Sequence, residues 1–352
     1  METILVTGGA GFLGSWFVRH WLGVGQGRVV VLDKLTYAGS RASLAAVADI
    51  PRLVFRHGDI GDGSLVAGLL AEFEPQAIVN FAAESHVDRS IDAPAPFIAT
   101  NLVGTWQLLE QSLAYWRTLG SEQQAGFRFL HISTDEVFGP FEPPGRATEL
   151  SPYRPSSPYA ASKAAADHLV QSYHRTYGLP VLLVHPSNCY GPFQFPEKLV
   201  PLIILNAAEG QPLPIYGDGR QSRDWLFGED LCRAVCDVLK QGKPGDTFNI
   251  ASGVERTNEE LVREICERID RLTSNLPHAP SSKLIAHVAD RPGHDTRYAL
   301  DTTKICGLGW SPCVDLAVGL EKTVRWYLEN RAWVAEVSAA FDRTQRLGLG
   351  GE

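Results

Sequence analysis

Between residues 3 and 185 the chain repeats one unit: a short apolar run, a turn of small or acidic residues, then a stretch whose apolar positions recur at helical spacing. The β-branched and aromatic runs predict strands at Thr3–Thr7, 28–32, Leu53–His57, 76–81, 127–132 and 180–185. After the first of these, Trp16, Phe17, His20, Trp21 and Leu22 fall on one helical face. Phe97, Leu102, Trp106, Leu109 and Leu113 mark a long helix over 96–119, and a further helix is predicted over 159–177. The stripe on 96–119 suits either a subunit interface or ordinary core packing. Strands alternating with helices, without hairpin signals, predict an α/β fold: a doubly wound parallel (Rossmann) sheet.

Beyond Pro186 the texture changes. Pro192, Pro196, Pro201, Pro212 and Pro214 cut the chain into short pieces before helical patterns return at 229–240, 258–271 and 315–329. The predicted organisation is a sheet domain over 1–186 with a returning segment at about 223–250. A smaller C-terminal lobe of 187–222 and 251–330 covers the strand tips, and a tail over 331–352 is expected to fray.

The first predicted strand runs into Gly8-Gly9-Ala10-Gly11-Phe12-Leu13-Gly14 and then a helix. Glycines at 8, 11 and 14 let the turn tighten, let backbone approach a pyrophosphate, and let helix pack closely on sheet; the helix N-terminus offers free N–H groups to phosphate. The second strand ends in Asp33, about the expected ~20 residues beyond the glycines, where a carboxylate favours NAD over NADP. Lys34 softens that preference slightly. Asp59 ends the third strand and is placed to meet adenine, and the small residues Ala82 and Ala83 after the fourth leave room for a cofactor.

Composition narrows the partners. In 352 residues the net charge is -8 and the pI near 5.7, which argues against a nucleic-acid surface, since that requires clustered Lys and Arg. Arg223, Arg291 and His294 nevertheless sit in charged loops suited to a diphosphate. Six cysteines without a CxxC pair suggest reduced thiols and no metal site, and Cys232 and Cys236 share a helix face that suggests packing. No apolar run reaches membrane-spanning length and no signal peptide is recognisable, so a cytoplasmic location is expected.

The predicted strand 127–132 delivers Ser133-Thr134-Asp135-Glu136-Val137-Phe138-Gly139 to the sheet's C-terminal edge, and Tyr159 and Lys163 follow, four apart on one helix face. A free tyrosine has a pKa near ~10, so service as a base near neutrality means lowering it by ~3 units, roughly 4 kcal/mol; a neighbouring ammonium and the nicotinamide cation are the expected sources. Glycine turn, strand-tip Ser-Thr and Tyr-x-x-x-Lys together resemble the extended short-chain dehydrogenase/reductase family. The run 133–139 is similar to the signature of its nucleotide-sugar 4,6-dehydratases. AAESHVDRSI (82–91), PEKLVP (196–201), RDWL (223–226) and ADRPGHDTRY (289–298) resemble further motifs of the branch acting on dTDP-glucose.

That resemblance implies a mechanism and a site. NAD would oxidise C4, water would leave across C5 and C6, and hydride would return to C6. Tyr159 would be the base, with Lys163 beside it and Thr134 on the C4 oxygen; Glu136 would take the C5 proton and Asp135 would protonate the leaving hydroxyl. The implied cofactor contacts are Gly8, Gly11, Phe12, Leu13, Gly14, Asp33, Lys34, Leu35, Thr36, Asp59, Ile60, Phe81, Ala82, Ala83, Glu84, Ser85, Thr100, Ser133, Tyr159, Lys163 and Asn188. Substrate contacts would be Ser85, Thr134, Asn188, Lys198, Leu199, Pro214, Tyr216, Arg223, Asn258, Arg291 and His294. A homodimer built on the helices near 96–119 and 159–177 is also implied. The chain departs from the family pattern at Phe138, Cys189 and Gly228, and its 140–158 loop is shorter than in many relatives. Other readings are a UDP-glucose dehydratase, an epimerase or uronate decarboxylase, and a non-catalytic NAD sensor. The last can dispense with Asp135, Glu136, Tyr159 and Lys163, and all four are present.

Overall fold

The computed structural model describes residues 3–25, 27–273, 276–339 and 347–348. Its strands, in chain order, are β1 (Thr3–Thr7), β2 (Arg28–Asp33), β3 (Leu53–His57), β4 (Ala77–Asn80), β5 (Arg128–Ile132) and β6 (Val181–Pro186). They continue as β7 (Asn188–Tyr190), β8 (Leu213–Tyr216), β9 (Ser222–Phe227), β10 (Thr247–Ile250), β11 (Glu255–Thr257) and β12 (Ile285–Val288). Seven form one sheet in the order β10-β6-β5-β4-β1-β2-β3, and every pairing in it is parallel. The winding reverses between β1 and β4, which opens a crevice at the strands' C-terminal ends.

Burial on both faces explains why these strands read as continuous apolar runs. In β1, Ile4 and Val6 enter one core cluster with Phe17, Trp21 and Val235, while Leu5 enters the opposite one with Leu109, Phe129 and Val170. Cys232 and Cys236 pack in the first of these. A third cluster, around Ile203, Leu261, Ile265 and Tyr327, is the core of the smaller lobe.

Two expectations change. The helix predicted over 96–119 is three pieces: Ala95–Phe97, a π-helical stretch Ile98–Gly104, and Thr105–Thr118. The wider turn brings Asn101 inward, where its amide bonds the Glu84 backbone in both directions at 2.9 Å and donates to Ser162 Oγ at 2.9 Å. The apolar stripe divides as a result. Phe97, Leu109 and Leu113 are buried, but Trp106 is 41% exposed, alongside Ile98 and Val103.

The second change lies beyond residue 186. Six short strands escaped the pattern: five form a three-stranded sheet β11-β9-β7 and a pair β12-β8, and the sixth is β10. One contact there, β9 with β11, is antiparallel. Of the segment 223–250, β10 joins the edge of the main sheet, and the helix Gly228–Gln241 contributes Leu231, Val235 and Val238 to the first core cluster; β9 pairs outside the sheet. In the tail, Arg331–Val337 is helical and Gly348 N donates to Asp92 Oδ2 at 2.8 Å; residues 340–346 and 349–352 of that tail lie outside the described residues.

Candidate active site

At the crevice, β1 passes into the helix Phe12–Val24 through a turn that only glycine permits. Gly8 has φ +68°, and a Cβ on it would stand 2.6 Å from Ala82 N; a Cβ on Gly14 would stand 2.1 Å from Gly8 O. Gly11 meets nothing nearer than 3.3 Å, and as N-cap it carries no side-chain cap, so the first helical N–H groups face the cavity without a partner from the cap. Asp33 fixes the turn by accepting from Ala10 N and Leu35 N, both at 2.8 Å. An adenosine ribose and a pyrophosphate fit this donor and acceptor set. Lys34 is committed to Asp59 at 2.7 Å, which removes much of its pull on a 2′-phosphate.

A cavity of about 290 Å³ runs from this turn to the tip of β5. It is lined by every cofactor contact implied by the sequence except Leu35. That residue, at φ 53°, gives its N–H to Asp33 and packs its side chain against the first core cluster, so it shapes the turn from behind. Lys198 also lines the cavity, whereas Leu199, Pro214, Tyr216, Arg223, Asn258, Arg291 and His294 do not. Leu199 packs against the lobe's core, and Asn258 begins the helix Asn258–Leu272.

Of the others, Arg223 and Arg291 stand near the acidic pair. Arg291, Arg223 and Lys198 all act electrostatically on Glu136. Arg291 Nη1 donates to Asp88 Oδ1 at 2.7 Å and Tyr216 OH to Asp88 Oδ2 at 2.9 Å, while His294 pairs with Asp290 at 2.7 Å. Arg223 spends donors on Asp295 O and Ser222 O and lies over the Tyr298 ring. Asp88 is thus a positioning residue that sequence reasoning missed, although it lies inside a quoted motif.

The helix Pro158–Tyr177 presents the Tyr/Lys pair. Ser157 caps it by accepting from Ala160 N, Pro158 occupies its first turn, and Gly178 ends it in the left-handed conformation. Lys163 is buried, and Nζ donates to Ile132 O at 2.7 Å and lies 3.2 Å from His131 Nε2. Behind it runs a buried chain in which His185 Nε2 lies 3.2 Å from Asp167 and 2.8 Å from Tyr153 OH, and Ser133 Oγ donates to Asp167 at 2.6 Å. Burial pushes Lys163 down to about 8. Tyr159 is pushed up, by burial first and Glu136 second, so in the chain's own electrostatics it is a firmly held phenol. In the chain alone Tyr159 is thus raised rather than lowered, and Lys163 gives its Nζ to the β5 carbonyl.

Of the acidic pair, Asp135 is 3% exposed and Glu136 is the more open. Burial and then the Glu136 charge hold Asp135 well above the usual carboxylate range. Burial also raises Glu136, but Arg291, Arg223 and Lys198 oppose it. Of the two, Asp135 is therefore the acid held more strongly toward its protonated form. Two buried oxygens in this corner, Asp135 Oδ2 and Asn188 Oδ1, have no hydrogen-bond partner among the described residues. Cys189 lines the same wall, donates to Ser187 O at 3.3 Å, and is pushed up by burial, which keeps it a thiol. Phe138 is buried against Tyr153 and His185, and Gly228 abuts the Trp16 ring.

A short helix and two loops meet at one buried carboxylate beside the cavity. Glu197 accepts from Tyr37 OH at 2.9 Å and Arg89 Nε at 2.8 Å, Arg89 stacks over the Tyr37 ring, and Lys198 Nζ reaches Ser85 O at 2.7 Å. Replacing Glu197 with alanine removes a charge-assisted bond and is expected to speed NAD loss about ten- to hundred-fold, read as cofactor retained after dialysis. Unchanged retention would show that the clasp does not hold the cofactor.

The chain is similar to known proteins over nearly its whole length. Residues 5–323 match the family model described as GDP-mannose 4,6 dehydratase. The chain is 52% identical over 349 residues to the dTDP-glucose 4,6-dehydratase of Xanthomonas campestris, covering 99% of both chains. With dTDP-glucose 4,6-dehydratase 1 of Escherichia coli it shares 52% identity, over 96% of this chain and 95% of the other. Among solved structures, DesIV, a dTDP-glucose 4,6-dehydratase from Streptomyces venezuelae with NAD bound, superposes with a TM-score of 0.87 at 46% identity. The match covers 96% of this chain and 100% of that one. A UDP-glucose 4-epimerase from Thermotoga maritima superposes with a TM-score of 0.81 at 28% identity, over 94% of this chain and 100% of the other.

Proposed function

We infer, from the premise that the chain belongs to the GDP-mannose 4,6-dehydratase family with dTDP-glucose 4,6-dehydratases as near relatives, that it converts dTDP-glucose to its 4-keto-6-deoxy product. The observation that carries the reading is the Asp135/Glu136 pair beside Tyr159, one acid held well above the usual carboxylate range and the other facing three cations that partly offset its burial. An epimerase needs oxidation at C4 but no acid at C6.

The residues take these roles. When bound, NAD supplies the hydride acceptor for C4 and the hydride donor for C6. Gly8, Gly11 and Gly14 admit its pyrophosphate and Asp33 takes its ribose. Tyr159 accepts the 4-hydroxyl proton while Thr134 holds that oxygen. The ketone at C4 makes the C5 proton acidic, because the carbanion is stabilised as an enolate. Glu136 removes that proton, Asp135 protonates the departing 6-hydroxyl, and Glu136 later returns its proton to C5. Arg291, with Asp88 orienting it, and Arg223 supply charge for the diphosphate.

The sheet domain 1–186 with its returning segment carries the cofactor, and the lobe of 187–222 and 251–330 carries the sugar nucleotide. Exposed Ile98, Val103, Trp106 and Tyr177 support a homodimer through these helices. The six unpaired cysteines support a cytoplasmic location. No helix among the described residues is long and apolar enough to cross a membrane.

Purified protein assayed with dTDP-glucose, UDP-glucose, UDP-glucuronate and GDP-mannose is expected to form an alkali-sensitive 4-keto product from the first, without accumulating NADH. Stoichiometric NADH release would overturn the dehydratase reading, and preference for another nucleotide would overturn the substrate.

A further inference from the structure

The six-residue helix Val87–Asp92 serves several parts of the site at once. Asp88, 4% exposed, divides its two oxygens between Arg291 Nη1 at 2.7 Å and Tyr216 OH at 2.9 Å, both on the smaller lobe. Arg89 reaches Glu197 at 2.8 Å. Ser90 Oγ accepts from Tyr159 N at 3.1 Å, at the start of the helix Pro158–Tyr177. Asp92, the last residue, meets the C-terminal segment: its Oδ2 accepts from Gly348 N at 2.8 Å. A helix of under two turns is marginal by itself, so its placement depends on contacts of this kind.

The approach at Gly348 leaves no room for a side chain. Gly348 is buried at φ +79°, in the left-handed region, and a Cβ on it would stand 2.8 Å from Asp88 Cβ and 3.1 Å from Asp88 Cα. Those atoms are the stem of the residue that orients Arg291, and they cannot swing aside as the tip of a long side chain can. Upstream, the helix Arg331–Val337 is held by Trp333, which packs among Phe193, Trp326 and Tyr327. Its Glu336 accepts from Ser40 Oγ at 3.3 Å, and Ser40 N donates to Ala10 O, in the glycine turn, at 3.1 Å. The C-terminal segment is therefore tied at two points, to the cofactor side through Ser40 and to the substrate side through Gly348.

Resting on the dehydratase reading, we propose that Gly348 is a positioning residue for the sugar nucleotide: docked on Asp92 and against the Asp88 stem, it holds the helix Val87–Asp92 so that Asp88 keeps Arg291 set for the diphosphate. Gly348 does not line the cavity and acts only through that helix. Coupling between two sites is reciprocal. If docking improves the grip on the nucleotide, a nucleotide bound at Arg291 tightens the docking by the same factor. The C-terminal segment then answers to occupancy of the substrate site, while the cofactor, held by the glycine turn and the Glu197 clasp, is unaffected.

Two substitutions in the full chain test it. Gly348→Ala crowds the Asp88 stem, and Asp92→Ala deletes the acceptor. Each is expected to raise KM for dTDP-glucose about three- to tenfold, less than the full worth of a hydrogen bond to a charged group because only part of it reaches Arg291. Thermal melting and NAD content near those of the wild type show that the variants are folded, and kcat is expected to stay within about twofold. Because both changes remove one contact, the double variant is expected to be no worse than either alone. Asp92→Asn keeps an acceptor oxygen and is expected to recover most of the affinity. Amide hydrogen exchange at residues 347–348 reads the docking itself: protected in the wild type, more so with dTDP added, and unprotected in both alanine variants. A wild type without that protection, protection lost while KM is unmoved, or losses that add in the double variant overturns the proposal. So does a fall in kcat alone, which would give the helix its role at Tyr159 through Ser90. The exchange measurement needs no turnover, so failure of the wild-type enzyme to act on dTDP-glucose strikes the dehydratase reading and leaves the docking to be judged by protection.

Discussion

Glu136→Gln is expected to stop dehydration while leaving the first oxidation possible. Glutamine has nearly the shape of glutamate and cannot accept the C5 proton, so kcat is expected to fall about 10²–10⁴-fold, the usual weight of a positioned base. The distinguishing sign is spectroscopic. Substrate added to the variant should trap the bound cofactor in its reduced form, because C4 is oxidised and no elimination follows. The wild-type enzyme should show no such build-up. Turnover like the wild type's would remove Glu136 from the reaction, and loss of turnover without reduced cofactor would move its role to the oxidation step. Glu136 makes no side-chain hydrogen bond or ion pair among the described residues and is the more open of the two acids, so the fold is expected to tolerate the change.

Gly14→Ala is expected to damage cofactor binding and stability together. The added methyl would lie 2.1 Å from Gly8 O and 2.8 Å from Gly9 Cα, both backbone atoms of the turn that receives the pyrophosphate. Neither can give way without moving the end of β1, where Gly8 N donates to Leu32 O at 2.9 Å. The cost is expected at the upper end of the ~1–3 kcal/mol typical of overpacking. A thermal melt and the NAD content of purified protein measure the two effects. A variant with wild-type melting and full NAD would show that this turn has slack the contacts do not reveal.

Five of the first six strands were legible because they are buried on both faces, which favours runs of Val, Ile, Leu and Phe. Thr3–Thr7 is buried from end to end, whereas Leu53–His57, at the sheet's edge, is only half-buried and its apolar run stops at Phe55. Three- to six-residue strands such as Asn188–Tyr190 and Glu255–Thr257 carry too few side chains to show a period, and the prolines among them masked the rest. A π-turn adds a residue without changing which residues are apolar, so 98–104 looked like ordinary helix. Asp135, Glu136, Tyr159 and Lys163 could be found from spacing because each lies at a strand tip or on one helix face. Asp88, Asn101, Asp167 and Glu197 could not. Their work is done on partners far away in sequence, such as Arg291 for Asp88 and Tyr37 for Glu197. An acid in a polar run gives no sign that it will be buried.

The Glu197 clasp bears on how the enzyme relates to its surroundings. Releasing the dinucleotide would mean parting Tyr37 and Arg89 from one buried carboxylate and Lys198 from the Ser85 carbonyl. A cofactor held that way is a resident component, regenerated in place, and it samples the free pool rarely. Flux would then follow the supply of nucleotide sugar and stay indifferent to the cell's ratio of oxidised to reduced NAD, insulating deoxysugar synthesis from swings in central metabolism.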